Sequence, residues 1–352
     1  MANLILKPGW QGREQDVPTR SFYDSRRAFV RTLGLGSIAL SSAPTLLGCT
    51  SEAQRAAAHA AGDPDGPLDT IPDEAPRDGY PAARNDAFDV PERQTSTRLV
   101  ASSYNNFYEF INQGELKRVW PLTGPYEPFP MTLEVRGLVE KPFTMDVSAL
   151  IREMDLEERL YRFRCVEAWS LTVPWTGFPL RALIDRCKPL SSATHVRFVS
   201  ANRPEQMPGL RSSPWYPWPY FEALRMDEAT NELGFVATGL YGEPLPKQNG
   251  SPLRMVLPWK YGYKGAKAIN VIEFVDDQPP TFWNELQPAE YGVLSNVNPN
   301  VPHPRWSQAT ERFLISETEE RRVDTMLFNG YTDWVGELYP DEPRAPSGPI
   351  IR

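Results

Sequence analysis

The sequence predicts a mixed α+β fold dominated by β structure, on three observations. Strand-like segments outnumber helix-like ones. They follow one another irregularly, without the strand–helix–strand rhythm that builds a parallel sheet. The 36 prolines among 352 residues are about twice the usual share and are scattered rather than periodic, which implies loops of fixed shape and excludes a collagen-like chain. A hydrophobic content of 41% is ample for a packed core.

Residues 1–50 read as an export signal. Ser25-Arg26-Arg27-Ala28-Phe29-Val30-Arg31 precedes a short apolar stretch from Leu33 to Leu47, the pattern of a twin-arginine signal, and that stretch is too short for a comfortable membrane crossing. The twin-arginine route carries folded proteins, so it suits a chain that takes up a complicated cofactor before export. Leu46-Leu47-Gly48-Cys49 also fits a lipoprotein cleavage site with lipid on Cys49; cleavage nearby without lipid is preferred. Gly34-x-Gly36-x-x-Ala39 imitates a dinucleotide fingerprint, but no strand precedes it. Residues 51–94, rich in Ala, Pro, Asp and Gly, read as a tether or a surface arm, and the catalytic domain spans 95–352.

Within that domain Met131, Leu133 and Val135 alternate with Thr132, Glu134 and Arg136, a strand ending at Gly137. Asp146 or Ser148 caps a helix reaching Met154. Leu160, Tyr161 and Phe163, among arginines, form a half-buried strand that delivers Cys165 into a loop whose prolines, Pro174 and Pro179, exclude helix and central sheet pairing. Pro179 to Cys187 forms a helix with Leu180, Leu183 and Ile184 on one face and Cys187 in the core. Further strands cover Val196–Val199, Leu253–Leu257 and Ile269–Val275. No internal repeat is present.

A formal net charge of -8 argues against a general nucleic-acid or anionic-membrane binder. Three cysteines, Cys49, Cys165 and Cys187, without CxxC or CxxCH spacing, support neither a disulfide framework nor haem attachment, and three scattered histidines suggest no His-based metal site. Cys165 stands apart: Arg162 and Arg164 flank it and favour the thiolate that binds soft metals, although a lone cysteine is more often a small buried hydrophobe. Lys247-Gln248-Asn249-Gly250 through Arg254, then Pro258-Trp259-Lys260-Tyr261-Gly262-Tyr263-Lys264-Gly265-Ala266-Lys267, gather cations and glycines that suit a phosphate, against a plain solvated loop. Tyr104-Asn105-Asn106-Phe107-Tyr108-Glu109-Phe110 offers amides, a phenol and a carboxylate for a heterocycle's polar edge, or for ordinary packing. No general acid stands out; Tyr261 and Tyr263 are guesses.

Together the segments YNNFYEF, RCVEAWS, PEQMPG, KQNG, PWKYGYKG, NVNP and HPRWSQATERF, from Tyr104 to Tyr331, resemble the catalytic subunits of periplasmic protein-methionine-sulfoxide reductases, molybdopterin enzymes of the sulfite oxidase superfamily. The resemblance implies a sulfite-oxidase-type fold without the C-terminal immunoglobulin-like dimerisation domain, and a monomer. It implies Cys165 as molybdenum ligand and catalytic residue, and cofactor contacts from Asn105, Tyr108, Glu109, Asn249, Arg254, Gly265, Ala266 and Lys267. Ser200 takes the place of a cofactor-contacting threonine, and Ala266 that of an isoleucine. The implied reaction reduces methionine sulfoxide in oxidised periplasmic proteins by oxygen-atom transfer. Electrons come from a membrane haem b partner and the quinone pool, and the twin-arginine machinery is the export partner. Trp215, Tyr216, Trp218 and Tyr220 form either a rim for protein substrates or a buried structural loop. A sulfite dehydrogenase is the rival within the superfamily, and an exported non-enzymatic binding protein the rival outside it.

Overall fold

Period-two alternation puts Leu133 and Val135 fully inside and their polar neighbours toward solvent, the expected outcome for a strand with one buried face. The structure, a computed structural model, describes residues 67–68, 70–111 and 119–345; the readings of residues 1–50, Cys49 included, lie outside them. The described strands are β1 (Thr132–Gly137), β2 (Phe143–Asp146), β3 (Glu157–Arg164), β4 (Trp169–Pro179), β5 (His195–Ser200), β6 (Phe221–Arg225), β7 (Phe235–Leu240), β8 (Glu243–Pro244), β9 (Arg254–Val256), β10 (Ile269–Val275), β11 (Thr310–Leu314) and β12 (Glu320–Asp324). One sheet runs β2-β1-β10-β5-β6, antiparallel except between β1 and β10. The other runs β12-β11-β4-β7-β8, with β3 along β4 and β9 along β7. Two mixed sheets with short helices between strands make this the β-rich α+β fold that the sequence predicts.

The helices form where capping and periodicity place them. Among the four that matter below, α1 (Arg98–Ser103), α2 (Val147–Glu153), α3 (Leu180–Cys187) and α4 (Pro208–Ser212), α2 is capped by Asp146, whose carboxylate accepts from Ala149 N at 2.8 Å. It buries Val147, Leu150 and Ile151. Along α3, Leu180, Leu183, Ile184 and Cys187 all face inward. Burial pushes the Cys187 thiol up to about 12, so it stays protonated and acts as core.

The prolines after Cys165 do not interrupt the sheet. β4 lies at its centre, with β3 along one edge and β11 then β7 along the other. The hairpin bond from Cys165 N to Trp169 O (2.9 Å) sets the alternation of antiparallel pairs, which makes Leu160 and Pro174 a non-hydrogen-bonded pair. The absent N–H of Pro174 therefore faces away from β3, at the gap where β11 has ended and β7 begins, and its carbonyl still accepts from Tyr241 N. A central strand tolerates proline where no ladder bond is asked of it.

Residues 70–94 run along this body. Ala83 O and Asn85 N bond the backbone of Glu158, Tyr80 OH donates to Thr238 Oγ1 (2.5 Å), and Arg93 reaches Glu311 at 2.8 Å.

Candidate active site

Four short segments from the two sheets meet around one cavity. β3 turns into β4 through Cys165-Val166-Glu167-Ala168, a hairpin closed by Cys165 N to Trp169 O and by Ala168 N to Cys165 O (3.1 Å), with Ala168 at φ 61°. The chain after α1 supplies Asn105, Asn106, Tyr108 and Glu109. Asn249 comes from the turn ahead of β9, Arg254 opens β9, and Arg254 forms an isolated bridge with Lys267, just before β10. The cavity and its open mouth together hold about 890 Å³ of empty space.

Seven of the ten site residues that the resemblance implies line it: Asn105, Tyr108, Glu109, Cys165, Asn249, Arg254 and Lys267. Three do not. Ser200, at the end of β5, is buried with its hydroxyl beside the Glu109 carboxyl, where it favours the ionised form. Gly265 packs so closely on Met255 that a Cβ would collide with that residue's carbonyl oxygen, and Ala266 O accepts from Met255 N at 3.0 Å. These two fix β9 against the segment that carries Lys267.

The thiol is held from the side of the Tyr104–Phe110 segment. Asn106 Nδ2 and Glu167 Oε2 each lie 3.9 Å from Cys165 Sγ. Asn106 also donates to Glu167 Oε2 at 3.0 Å, and Trp169 Nε1 donates to the same oxygen at 3.2 Å. Neither Asn106 nor Glu167 is among the site residues that the resemblance implies, although both lie in segments that carry it. The available signal was a carboxylate two residues beyond the cysteine, which a four-residue hairpin turn folds back onto it.

Arg162 and Arg164 are not the cations that face the thiol. Both side chains leave β3 on the opposite side from Cys165, because neighbours along a strand alternate. Arg162 is used by Glu92 and by Asn329 O (2.8 Å). Arg164, fully buried, pairs with Glu311 at 2.8 Å, bonds Gln308 Oε1 at 2.8 Å, and donates to Cys165 O. It braces the turn from behind. Lys267, across the cavity, interacts electrostatically with Cys165.

The basic segment divides in the same way. Lys260 is neutralised by Glu228 and Lys264 by Glu222, each at 2.7 Å in the interior. Arg254 and Lys267 have no carboxylate within ion-pair distance among the described residues. Burial pulls the Arg254 guanidinium down to about 10; it lies 4.8 Å over the Trp175 ring and donates to Asn249 O at 3.1 Å. Burial pulls Lys267 down and Glu109 up, while their mutual attraction opposes both shifts. Burial raises the Tyr108 phenol, and nearby Glu167 raises it further, so it remains neutral.

Arg254 Nη2 and the amide oxygens of Asn105 and Asn249 are buried without a hydrogen-bond partner among the described residues. Unsatisfied groups of that kind are expensive unless a ligand meets them. PEQMPG serves as scaffold: Gly209, in α4, donates to Glu109 O at 2.8 Å, and a Cβ there would collide with Tyr108 O.

A model of the oxidoreductase molybdopterin binding domain matches residues 124–283, a span holding Cys165, Ser200, Asn249, Arg254 and Lys267. The protein-methionine-sulfoxide reductase catalytic subunit MsrP of Burkholderia mallei is 51% identical over 262 residues, 73% of this chain and 77% of its own. This chain belongs to the protein-methionine-sulfoxide reductase catalytic subunit family. The relative of the same name from Ralstonia nicotianae is 41% identical over 349 residues, 96% of this chain and 97% of its own. The sulfane dehydrogenase SoxCD from Paracoccus pantotrophus aligns with a TM-score of 0.41 at 14% identity, over 55% of this chain and 50% of its own, a likeness too loose to bear on the reaction. Family membership makes the chain a molybdopterin-dependent oxidoreductase, and the residues present fit such a cofactor. A thiol suits a soft metal, and two uncommitted cations and unpartnered amides suit an anionic, polar heterocycle.

Proposed function

We propose that this chain reduces methionine sulfoxide in oxidised periplasmic proteins, with the Cys165 thiolate as molybdenum ligand. The observation that carries this reading is the convergence on one cavity of the Cys165 thiol, of Arg254 and Lys267, which no carboxylate meets at ion-pair distance among the described residues, and of unpartnered amide groups. When bound, molybdopterin supplies two-electron oxygen-atom transfer, the chemistry that sulfoxide reduction requires. The chain binds and orients. The hairpin turn and Arg164 fix the backbone of Cys165, Asn106 and Glu167 orient its sulfur, and Arg254, Lys267, Asn105 and Asn249 would hold the cofactor's polar groups. Ser200, Gly265 and Ala266 support these contacts from behind.

Replacing Arg254 with methionine keeps the stem over Trp175 and removes the charge. Charged hydrogen bonds contribute about 1.5–3 kcal/mol, so the purified variant should retain molybdopterin about 10- to 100-fold less tightly, read as molybdenum remaining after dialysis. Electrons would come from a membrane haem b subunit fed by the quinone pool, and the chain would reach the periplasm by the twin-arginine machinery and act there as a monomer. The family name, a catalytic subunit acting on protein-bound sulfoxide, supports a partner and protein clients.

Trp215 is 60% exposed, while Trp218 packs 5.0 Å from Phe282 and donates to Ser213 O, so the first is the better placed to meet clients. Trp215→Ala should raise KM for an oxidised protein severalfold, about 1 kcal/mol of lost contact, and leave KM for free methionine sulfoxide unchanged. The reaction itself is tested by assaying sulfoxide reduction and sulfite oxidation side by side with artificial electron donors and acceptors. Reduction without sulfite oxidation is expected; sulfite oxidation alone would keep the cofactor and reassign the enzyme.

A further inference from the structure

A second cavity, of about 690 Å³, lies beside the first and shares Val166 and Tyr263 with it as a common wall. Its lining is mixed, with the polar residues Ser295, Asn298, His303, Glu290 and Glu342 among apolar ones. Across the wall the Tyr263 phenol and the Ser295 hydroxyl are hydrogen-bonded to each other. Tyr263 lines both cavities and Ser295 the second, so the hydrogen-bonded pair lies between the two. Each hydroxyl can accept one proton while giving up another, and Ser295 Oγ also has Gly292 O at 2.5 Å as an alternative acceptor between transfers.

The second cavity carries its own sign of a polar occupant. His303 is 6% exposed, and its Nε2 has no hydrogen-bond partner among the described residues. Nδ1 accepts from Arg305 N at 3.2 Å, which leaves the proton of the neutral ring on Nε2. The ring is pinned by stacking on Trp306 at 3.8 Å. Glu290 Oε2 lies 3.5 Å from Nε2 and is tied to Arg305 at 2.7 Å. A buried donor beside a carboxylate, on a cavity wall that also carries Ser295 and Asn298, is a place for water.

We propose that the second cavity is the proton-uptake route of the reaction, and that Ser295 and Tyr263 relay protons from it into the reaction cavity. The inference rests on the sulfoxide-reductase reading. One sulfoxide takes two electrons from the donor subunit and two protons; its S–O bond breaks, two O–H bonds form, and sulfide and water leave. Each proton arrives at Ser295 Oγ from water in the second cavity. The Ser295 proton passes to Tyr263 Oη, and the Tyr263 proton passes into the reaction cavity. Burial holds the Tyr263 phenol far above its ordinary range, consistent with a relay that hands protons on without resting as a phenolate. Val166 closes the rest of the shared wall with an apolar side chain, so no other hydrogen-bonding side chain lines both cavities.

Two variants test this. Tyr263→Phe removes the hydroxyl and keeps the ring that packs 5.4 Å from Tyr291. Ser295→Gly removes the other hydroxyl at a residue with φ 51°, a conformation glycine adopts freely. Methionine sulfoxide reduction is measured per bound molybdenum with an artificial donor, in H2O and D2O, with and without imidazole. The expected result is unchanged molybdenum content and KM, a kcat lower by at least about 10-fold, a larger solvent isotope effect, and recovery of Ser295→Gly by imidazole. Wild-type kcat and isotope effect in both variants would overturn the relay, as would a fall in kcat with no change in isotope effect and no imidazole recovery. A wild-type protein that holds molybdenum but reduces no sulfoxide would overturn the underlying reading instead.

Discussion

Replacing Glu311 with alanine is expected to destabilise the protein by about 3–5 kcal/mol, because it leaves buried charge without a partner. Glu311 is 1% exposed and binds two guanidinium groups, Arg164 through Oε2 and Arg93 through Oε1, each at 2.8 Å. Arg164 is completely buried and has no route to solvent. The loss should appear as a Tm roughly 10 °C lower in thermal unfolding. The same change loosens the brace on the catalytic turn, since Arg164 also holds Cys165 O and Gln308, and Gln308 Nε2 holds Val166 O at 2.7 Å. An unchanged Tm would mean that Arg164 and Arg93 are satisfied without Glu311.

Cys165→Ser should show the opposite pattern, with stability kept and activity lost. The turn is closed by backbone bonds that do not involve the sulfur, from Cys165 N to Trp169 O and from Ala168 N to Cys165 O. Serine fills nearly the same volume, so Tm should shift by no more than a few degrees. Groups that merely support a metal ligand typically contribute 10- to 100-fold to activity or affinity. Loss of the ligand itself should lower sulfoxide reduction by more than about 1000-fold, equivalent to roughly 4 kcal/mol of barrier. Assay of the purified variant beside the wild type decides this, and retention of more than a tenth of the activity would remove Cys165 from the chemistry.

Much of the fold was legible because it rests on local rules. β1 follows from the alternation of Leu133 and Val135, α2 from the Asp146 cap, and α3 from the spacing of Leu180, Leu183 and Ile184. What escaped depended on tertiary context. Pro174 argued against a central strand, and only the register against Leu160 shows how the strand accommodates it. β7 is buried at all six positions and so carries no alternation for a period-two reading to find.

In the site, residue types were legible and partners were not. Cys165, Arg254 and Lys267 stand out in the sequence, but nothing there distinguishes the lysines consumed by Glu222 and Glu228 from the one that faces the cavity. Adjacency suggested that Arg162 and Arg164 act on the thiol. Strand alternation turns both away, and a cation that does interact with the thiol, Lys267, lies about a hundred residues later in the chain. Glu167 and Asn106 reach the sulfur only because the hairpin turn and the segment after α1 meet there.

The central claim is that the Cys165 sulfur is a ligand of molybdenum. X-ray absorption at the molybdenum edge, on the loaded wild-type protein and on Cys165→Ser with cofactor bound, tests it most directly. One sulfur neighbour present in the wild type and missing from the variant is the predicted result. Identical sulfur shells in the two proteins would contradict it and return Cys165 to a structural role in the turn.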